Sequence, residues 1–289
     1  MSYVSDIQNS INYIEDNILN NLNYEDIAQV ANESSYAYQR IFYVLCGMTL
    51  GEYIRGRRLT LAGNELINNN ARIIDLAYKY HYETPESFSR AFKAFHGINP
   101  SKVNGNGNYL KSMSPLRIAL TLKGGNIMKF RIEKIDGFKV IGKVKSFSSR
   151  NNQGFNDIPK FWDNFATEEN VTKLFKYSKG SKLEHTLLGV CFDDACNVKY
   201  DYAIAVSYND SKNLDGFDVR EIPAQTYLIV KEKGKIPEAM QQVYKEIYSD
   251  YLPSSEYVPV SGPMLEIYRN SFETNENYEF EIWIPVNKK

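Results

Sequence analysis

The sequence predicts two domains of different class. An all-α N-terminal domain with two helix-turn-helix units joined by a long helix precedes an α+β C-terminal domain built on a duplicated strand-helix-strand-strand unit. Three observations predict this. Apolar residues recur at helical spacing up to about residue 103 and alternate from about Leu116 onward. Each of the two parts repeats its own pattern internally. The chain, at 289 residues, is too long for one compact core in most folds and comfortable for two. The domains are placed at 1–103 and 116–289, with a linker at 104–115, where "VNGNGNYLKSMSPL" is rich in Gly, Asn, Ser and Pro.

Ile7, Ile11, Ile14 and Ile18 give a first amphipathic helix, with Ser5 as its cap. "NYEDIAQVAN" is a short second helix. "SSYAYQRIFYVLCG" is a third, capped by Ser34 and ended by Gly47. Thr49 caps a long fourth, "LGEYIRGRRLTLAGNELINNN". "RIIDLAYKY" and "PESFSRAFKAFHG" follow, the last stopping at Gly97. In the second part "LRIALTL", "FRIEKI", "FKVIGKVKSF", "TLLGVCF", "YAIAVSY", "FDVREI", "TYLIVKEKG", "PMLEIYR" and "YEFEIWIPV" read as strands. Two helices interrupt them, starting at "IPKFWDNF" and "IPEAMQQVYKEIY".

The third helix carries Tyr36, Gln39, Arg40 and Tyr43 on one face and Tyr38, Ile41, Phe42 and Leu45 on the other. Fifty residues later Glu86, Ser89, Arg90 and Lys93 take the polar places, and Phe88, Ala91, Phe92 and Phe95 the apolar ones. Thr84 stands where Ser34 stood. Each polar helix follows a short helix after a tight turn, which is the helix-turn-helix arrangement twice over. The connecting helix, Leu50 to Asn69, is about 30 Å long at 1.5 Å per residue. One turn of B-DNA is about 34 Å. A rod of this length sets two helices into successive major grooves, where Gln and Arg read adenine and guanine edges. A polar helix face is usually only solvated; the duplication, with Arg at the same place in both copies, favours a nucleic-acid face. Arg57 and Arg58 suit either phosphate contact or ion pairing within the long helix.

Charge agrees with this placement. Bases and acids balance over the whole chain, 34 against 35. Residues 1–33 hold six acids and no Lys or Arg, whereas residues 34–103 hold nine bases and five acids. The positive field is local. Three cysteines, none in a CxxC pair, fit a reducing compartment. No apolar run approaches a membrane span and no signal peptide is evident, so a cytoplasmic protein without membrane contact is expected. His81, His96 and His185 form no metal cluster, and no catalytic triad or phosphate-binding glycine loop is evident. Neither a cofactor nor a metal is expected, and no catalytic residue is assigned.

Within the second part, "FRIEKIDGFKVIGKV" aligns with "FDVREIPAQTYLIVK", "IPKFW" with "IPEAM", "GVCFD" with "EIYRN" and "YDYAIAVSY" with "YEFEIWIPV". A pseudo-twofold sheet with helices on one face is expected. Alternation sets Phe280, Ile282 and Ile284 under the helices and Glu281 and Trp283 on the other face; Met264, Glu266 and Tyr268 are assigned to that other face too. Where the second repeat has Glu266, Glu281 and Trp283, the first has Gly189, Ala203 and Ala205. Small residues leave room and the carboxylates and Trp line it. Such a cleft suits a cationic, partly apolar small molecule; a sheet face open to water is the bland alternative. Trp162, in the first helix of this part, suits core packing first and an approach to the pocket second.

Residues 7–103 resemble the DNA-binding domain of the AraC/XylS family. "LNYEDIAQVANESSYAYQRIFYVLCGMTLGEYIRGRRLTLAGNEL" is similar to its first unit and linker helix, and "IIDLAYKYHYETPESFSRAFKAFHGINPSKV" to its second. The resemblance implies base contacts from Tyr36, Gln39 and Arg40, then from Glu86, Ser87, Ser89 and Arg90, with Lys93 on the same stripe. The glycine common in the family's first turn appears here as Glu33, and the second turn has Tyr82. Residues 116–287 resemble the GyrI-like effector-binding domain, most closely at "GPMLEIY" and "YEFEIWIPV". That resemblance implies a pocket glutamate at Glu266 with aromatic neighbours, so Glu266, Tyr268, Trp283, Glu281 and Met264 are the ligand candidates.

The function implied is a one-component transcription regulator with double-stranded DNA, a small-molecule effector and RNA polymerase as partners. The alternatives are a small-molecule hydrolase using a buried Glu as acid or base, or a protein-docking module, tethered to a DNA-binding domain. Because Glu266 and the DNA-reading helices fall in different domains, Glu266→Gln is expected to leave DNA affinity nearly unchanged.

Overall fold

The computed structural model describes residues 3–69, 71–103, 109–118, 128–148, 153–192, 199–209, 216–269 and 277–289. Helix α1 (Tyr3–Asp16) begins ahead of the expected Ser5 cap and buries Ile7, Ile11 and Ile14. Asn23 caps α2 (Tyr24–Val30), its side chain accepting from the Glu25 amide. Ser34 caps α3 (Ser35–Cys46) by accepting from Ala37 N, and Gly47, at φ 67°, ends it in the left-handed region. Thr49 and Glu52 cap the start of α4 (Leu50–Asn69) reciprocally. After α5 (Ile73–Lys79), Thr84 and Ser87 form the same kind of box at the start of α6 (Pro85–His96), which stops at Gly97, φ 84°. Both turns between paired helices need one left-handed residue. Asn32 (φ 56°) and His81 (φ 63°) supply it, each one position before the residues the sequence reading had singled out, Glu33 and Tyr82.

Helix α4 serves two cores. Its first turns hold Tyr53 and Ile54 against α1 and α3, and its later turns hold Leu59, Ala62 and Leu66 against Leu76, Tyr80, Phe88 and Phe92. Arg57 and Arg58 are structural. Arg57 chelates Glu15 through Nε and Nη2 and donates to the Met113 carbonyl, while Arg58 donates to the carbonyls of Ile18 and Asn20. Residues 109–118, in irregular backbone, lie along α4 and α1: Met113 N donates to Thr60, Leu116 N to Tyr53 and Ile118 N to Gln8. The strand expected at 116–122 is therefore irregular at 116–118, and its remainder lies outside the described residues, as does 104–108 of the expected linker.

The second part is antiparallel. Its elements are β1 (Phe130–Ile135), β2 (Phe138–Ser148), α7 (Gln153–Phe165), α8 (Glu168–Ser178), β3 (Thr186–Phe192), β4 (Lys199–Ser207), β5 (Asp218–Ile222), β6 (Gln225–Lys233), α9 (Glu238–Glu246), α10 (Leu252–Ser254), β7 (Tyr257–Pro259), β8 (Met264–Arg269) and β9 (Glu279–Lys288). The sheet runs β1-β6-β9-β8-β3-β4-β2-β5, with β7 added on β9. Pairing the first four strands with β5, β6, β8 and β9 turns this order into its own reverse. Each copy has two strands before its helical segment, where the sequence reading gave one. Helix α8 went unread, although Thr167 caps it and two acids open its first turn.

The pseudo-twofold passes between β3 and β8, where Gly189 faces Glu266. Register also corrects the faces. Glu266 pairs with Ile282, so Met264, Glu266 and Tyr268 share the helix-covered face with Phe280, Ile282 and Ile284. Glu281 and Trp283 point to the opposite face, with Ala203 and Ala205, in a second apolar cluster around Leu188, Val190, Leu265 and Ile267. The physical reason is that "MLEIYR" is buried on both sides. Alternation cannot say which side meets the helices when neither side meets water.

Candidate functional site

Glu266 sits at the centre of the sheet, 8% exposed, and its two oxygens are fully engaged. Tyr268 donates to Oε2 at 2.9 Å and Tyr202 to the same oxygen at 3.2 Å. Tyr244, from α9, donates to Oε1 at 3.1 Å. Trp162 Nε1 donates to the Tyr202 hydroxyl at 3.0 Å, and its indole meets the Tyr268 ring edge-on at 5.0 Å. Two sheet strands and two helices thus build a carboxylate inside an aromatic cage. Gly189 is what leaves room for it. A Cβ there would stand 2.3 Å from the Tyr202 hydroxyl and 3.1 Å from Glu266 Oε2. Gly189→Ala is expected to cost about 1–3 kcal/mol in a urea melt. Tyr202→Phe in the same chain should return part of it; an unshifted midpoint in Gly189→Ala would contradict the packing described.

The cage is occupied, and from the other domain. Arg40 reaches from α3 and donates Nη2 to Glu266 Oε1 at 2.5 Å. Its guanidinium carbon lies 3.6 Å from the centre of the Tyr244 ring. Nη1 donates to its neighbour Tyr36, whose ring packs 4.4 Å from that of Tyr200. Burial pushes the Glu266 carboxyl up, but the Arg40 charge and the hydroxyl donors outweigh it and hold the group below the usual carboxylate range. Burial likewise lowers Arg40, and the facing tyrosines and Glu266 more than reverse it. Burial pushes the Tyr202, Tyr244 and Tyr268 hydroxyls well up, so all three stay protonated donors.

The sequence-predicted residues divide accordingly. Of the ligand candidates, Glu266 and Tyr268 are together; Met264, on the same face of β8, lines a separate small crevice with Ser34 and Ala37 at the start of α3. Glu281 and Trp283 are bonded to each other at 2.8 Å on the far face, and Glu281 is also held by Arg131 and Arg269. They leave the cleft to Glu266. Trp162, for which the sequence left both core packing and an approach to the pocket open, touches the site, and Tyr202 and Tyr244 were missed. Of the DNA-facing candidates in α3, none is presented to solvent. Tyr36 is 7% exposed, Gln39 is 3% exposed and bonded back to Ser35, and Arg40 is in the cage. In α6, Glu86, Arg90 and Lys93 are exposed and Ser87 and Ser89 half-buried. Glu266 and α3, which the sequence placed in separate domains, are in direct contact through Arg40.

Comparison with known proteins finds the helix-turn-helix domain model over residues 27–106 and the Cass2 model, described as an integron-associated effector binding protein, over residues 131–286. The chain belongs to the AraC-type helix-turn-helix regulators and carries a Cass2-family effector-binding domain. It is 38% identical over 101 residues to the regulatory protein SoxS of Salmonella typhimurium, covering 35% of this chain and 94% of SoxS. It is 45% identical over 89 residues to the transcriptional activator AarP of Providencia stuartii. That match covers 31% of this chain and 66% of AarP, just under two-thirds of its length. Among solved structures, SAV2435 bound to tetraphenylphosphonium aligns with 55% of this chain and 94% of that one, at 24% identity and a TM-score of 0.49. Among the described residues of this AraC-type chain, no helix is long and apolar enough to cross a membrane, and no three His, Cys, Asp or Glu side chains are grouped to hold a metal ion.

Proposed function

We propose that this chain is a sequence-specific transcription regulator in which residues 1–103 bind double-stranded DNA and residues 116–289 bind a small cationic or amphipathic effector at Glu266. One observation carries the effector half: the Glu266 cage already holds an organic cation, the Arg40 guanidinium, by charge, hydrogen bond and ring contact together. A carboxylate in such a setting recovers from an arriving cation part of the hydration it lost on burial. Tyr268, Tyr202, Tyr244 and Trp162 are the neighbours assigned to the ligand. The domain is read as a receptor because the Glu266 carboxylate is already engaged by a cation and three hydroxyl donors, a set of contacts that binds a cation. Cytoplasmic location and contact with RNA polymerase follow from the regulator reading.

The DNA half rests on the two helix-turn-helix units and on the exposed face of α6. Arg90→Ala should weaken binding to the selected site by about 1–3 kcal/mol if Arg90 reads a base. Footprints of the effector-loaded protein should cover two major-groove segments about one turn, roughly 34 Å, apart. Unchanged site-specific affinity in Arg90→Ala would remove α6 as a reading helix. For the effector half, calorimetry with benzylguanidinium and its neutral counterpart benzylurea should show binding of the cation alone.

A further inference from the structure

Helix α3 is buried on both of its faces. Tyr38, Ile41 and Phe42 pack into the N-terminal core, as any helix-turn-helix requires. The opposite stripe, Tyr36 and Arg40, packs on Tyr200, Tyr244 and Glu266 of the other domain. That stripe is also the one that matches the exposed stripe of α6 residue for residue. The same side chains are thus asked to do two things that exclude each other in space. A guanidinium in the cage cannot lie in a major groove, and a cation from solution cannot enter a cage that the guanidinium fills.

We propose that Arg40 is a built-in occupant of the effector pocket, and that an organic cation of the arylalkylguanidinium type, with a planar guanidinium head, expels it and thereby frees α3 to read DNA. The inference rests on the reading that Glu266 anchors the effector. In the docked chain one recognition helix, α6, faces outward and the other is sequestered, so the two-groove contact needs undocking. A ligand shifts such an equilibrium only through differential affinity for the two states. Here the difference is complete, because effector and Arg40 use one carboxylate oxygen and one Tyr244 ring face. The occupant also tells what the effector should look like. Its head should be flat and delocalised to lie on Tyr244 and carry N–H donors for Glu266 Oε1, and it should offer an aromatic body to Trp162 and Tyr268 that Arg40 lacks. Reciprocity follows: DNA that captures α3 must tighten effector binding by the same factor by which effector tightens DNA binding.

An intramolecular competitor leaves a sign-specific trace. Removing it raises affinity for the external ligand, whereas removing an ordinary supporting residue lowers it. The experiment uses the full chain, with benzylguanidinium as probe and benzylurea as control, read by calorimetry and by hydrogen exchange of residues 34–46. The expected result is that Arg40→Ala binds benzylguanidinium at least tenfold more tightly than wild type. In wild type the saturating probe should speed exchange across 34–46 while benzylurea does not. Glu266→Gln should show the faster exchange without any probe, ignore the probe, and bind DNA at least tenfold more tightly than unliganded wild type. The wild-type exchange measurement needs no variant, so a poorly folding substitution does not spare the proposal. If the probe binds in a Glu266-dependent way but 34–46 stays protected and Arg40→Ala binds no better, the built-in occupant is overturned and the effector site stands. If neither wild type nor Arg40→Ala binds the probe through Glu266, the effector reading falls and the proposal with it.

Discussion

Arg40→Met is expected to lower the stability of the full chain by about 3 kcal/mol, and Arg40→Met with Glu266→Gln to recover most of that loss. The asymmetry comes from what each change leaves behind. With Arg40 gone, Glu266 stays among three hydroxyls, 8% exposed and without its cation. An unpaired buried charge costs far more than the pair was worth. With both charges removed, the glutamine amide oxygen can accept from Tyr202 and Tyr268 while its NH2 donates to the Tyr244 hydroxyl oxygen. The loss in the single variant is capped by the free energy of parting the two domains, since parting lets water reach the carboxylate. pH gives a second reading of the same pair. The folded Glu266 carboxyl lies below its unfolded value, so its contribution is fully present above the ordinary carboxylate range and is lost as pH falls through the lowered folded value. In Arg40→Met burial meets less opposition, the carboxyl moves up, and this acid-sensitive contribution shrinks. Calorimetric melts of the four chains across pH, with a carbon-13 titration of the Glu266 carboxyl, check both. Additive losses in the double variant would show that Arg40 and Glu266 are not coupled.

Much of the helical half was legible because its signals are local. Ser34, Thr49, Thr84, Gly47 and Gly97 mark helix ends by hydrogen bonds and φ values that involve only a few neighbouring residues. Periodicity correctly put Tyr38, Ile41 and Phe42 in the core. What it could not give is the fate of the opposite stripe. Tyr36, Gln39 and Arg40 look like a face awaiting a partner, and they are; the partner present in the structure is another part of the same chain. No window of sequence pairs residue 40 with residue 266. The same limit applied to Arg57 and Arg58, whose acceptors lie some forty positions earlier or, for the Met113 carbonyl, 56 positions later.

The sheet shows a different limit. The internal repeat aligned Gly189 with Glu266, and the structure sets that pair on the pseudo-twofold, with the glycine making room for the carboxylate. Ala203 and Ala205, read as room in the same cleft, lie on the other face with Glu281 and Trp283. A period of two sorts a strand's residues into two sets and no more. Polarity breaks the tie only when one set meets water, and β8 and β9 are buried on both sides. Tyr202 and Tyr244 had no polar signal to mark them, since a tyrosine in a strand or helix reads as packing until its hydroxyl is seen at a carboxylate.

Arg57→Ala should destabilise the N-terminal helices by about 3 kcal/mol, and Arg57→Lys should restore less than half of this. Arg57 grips Glu15 through Nε and Nη2 at 2.7 to 3.0 Å, and Tyr53 donates to the same carboxylate at 2.7 Å. The remaining guanidinium nitrogen holds the Met113 carbonyl, so one side chain ties α1, α4 and the segment after α6 together. Lys has the charge without the fork and cannot make the chelate and the carbonyl contact at once. Burial pushes the Glu15 carboxyl up, and the bonds from Arg57 and Tyr53 reverse this to hold it below its ordinary value. The stabilisation is therefore complete above the ordinary carboxylate range and disappears as pH falls through the lowered folded value. Urea melts of wild type, Arg57→Ala and Arg57→Lys near neutral pH measure the cost. Hydrogen exchange at residues 109–118 should rise in Arg57→Ala, because the Met113 anchor is gone. Stability within 0.5 kcal/mol of wild type, roughly the scatter of a neutral surface substitution, together with weakened DNA binding would instead make Arg57 a phosphate contact, the reading that the sequence left open beside ion pairing.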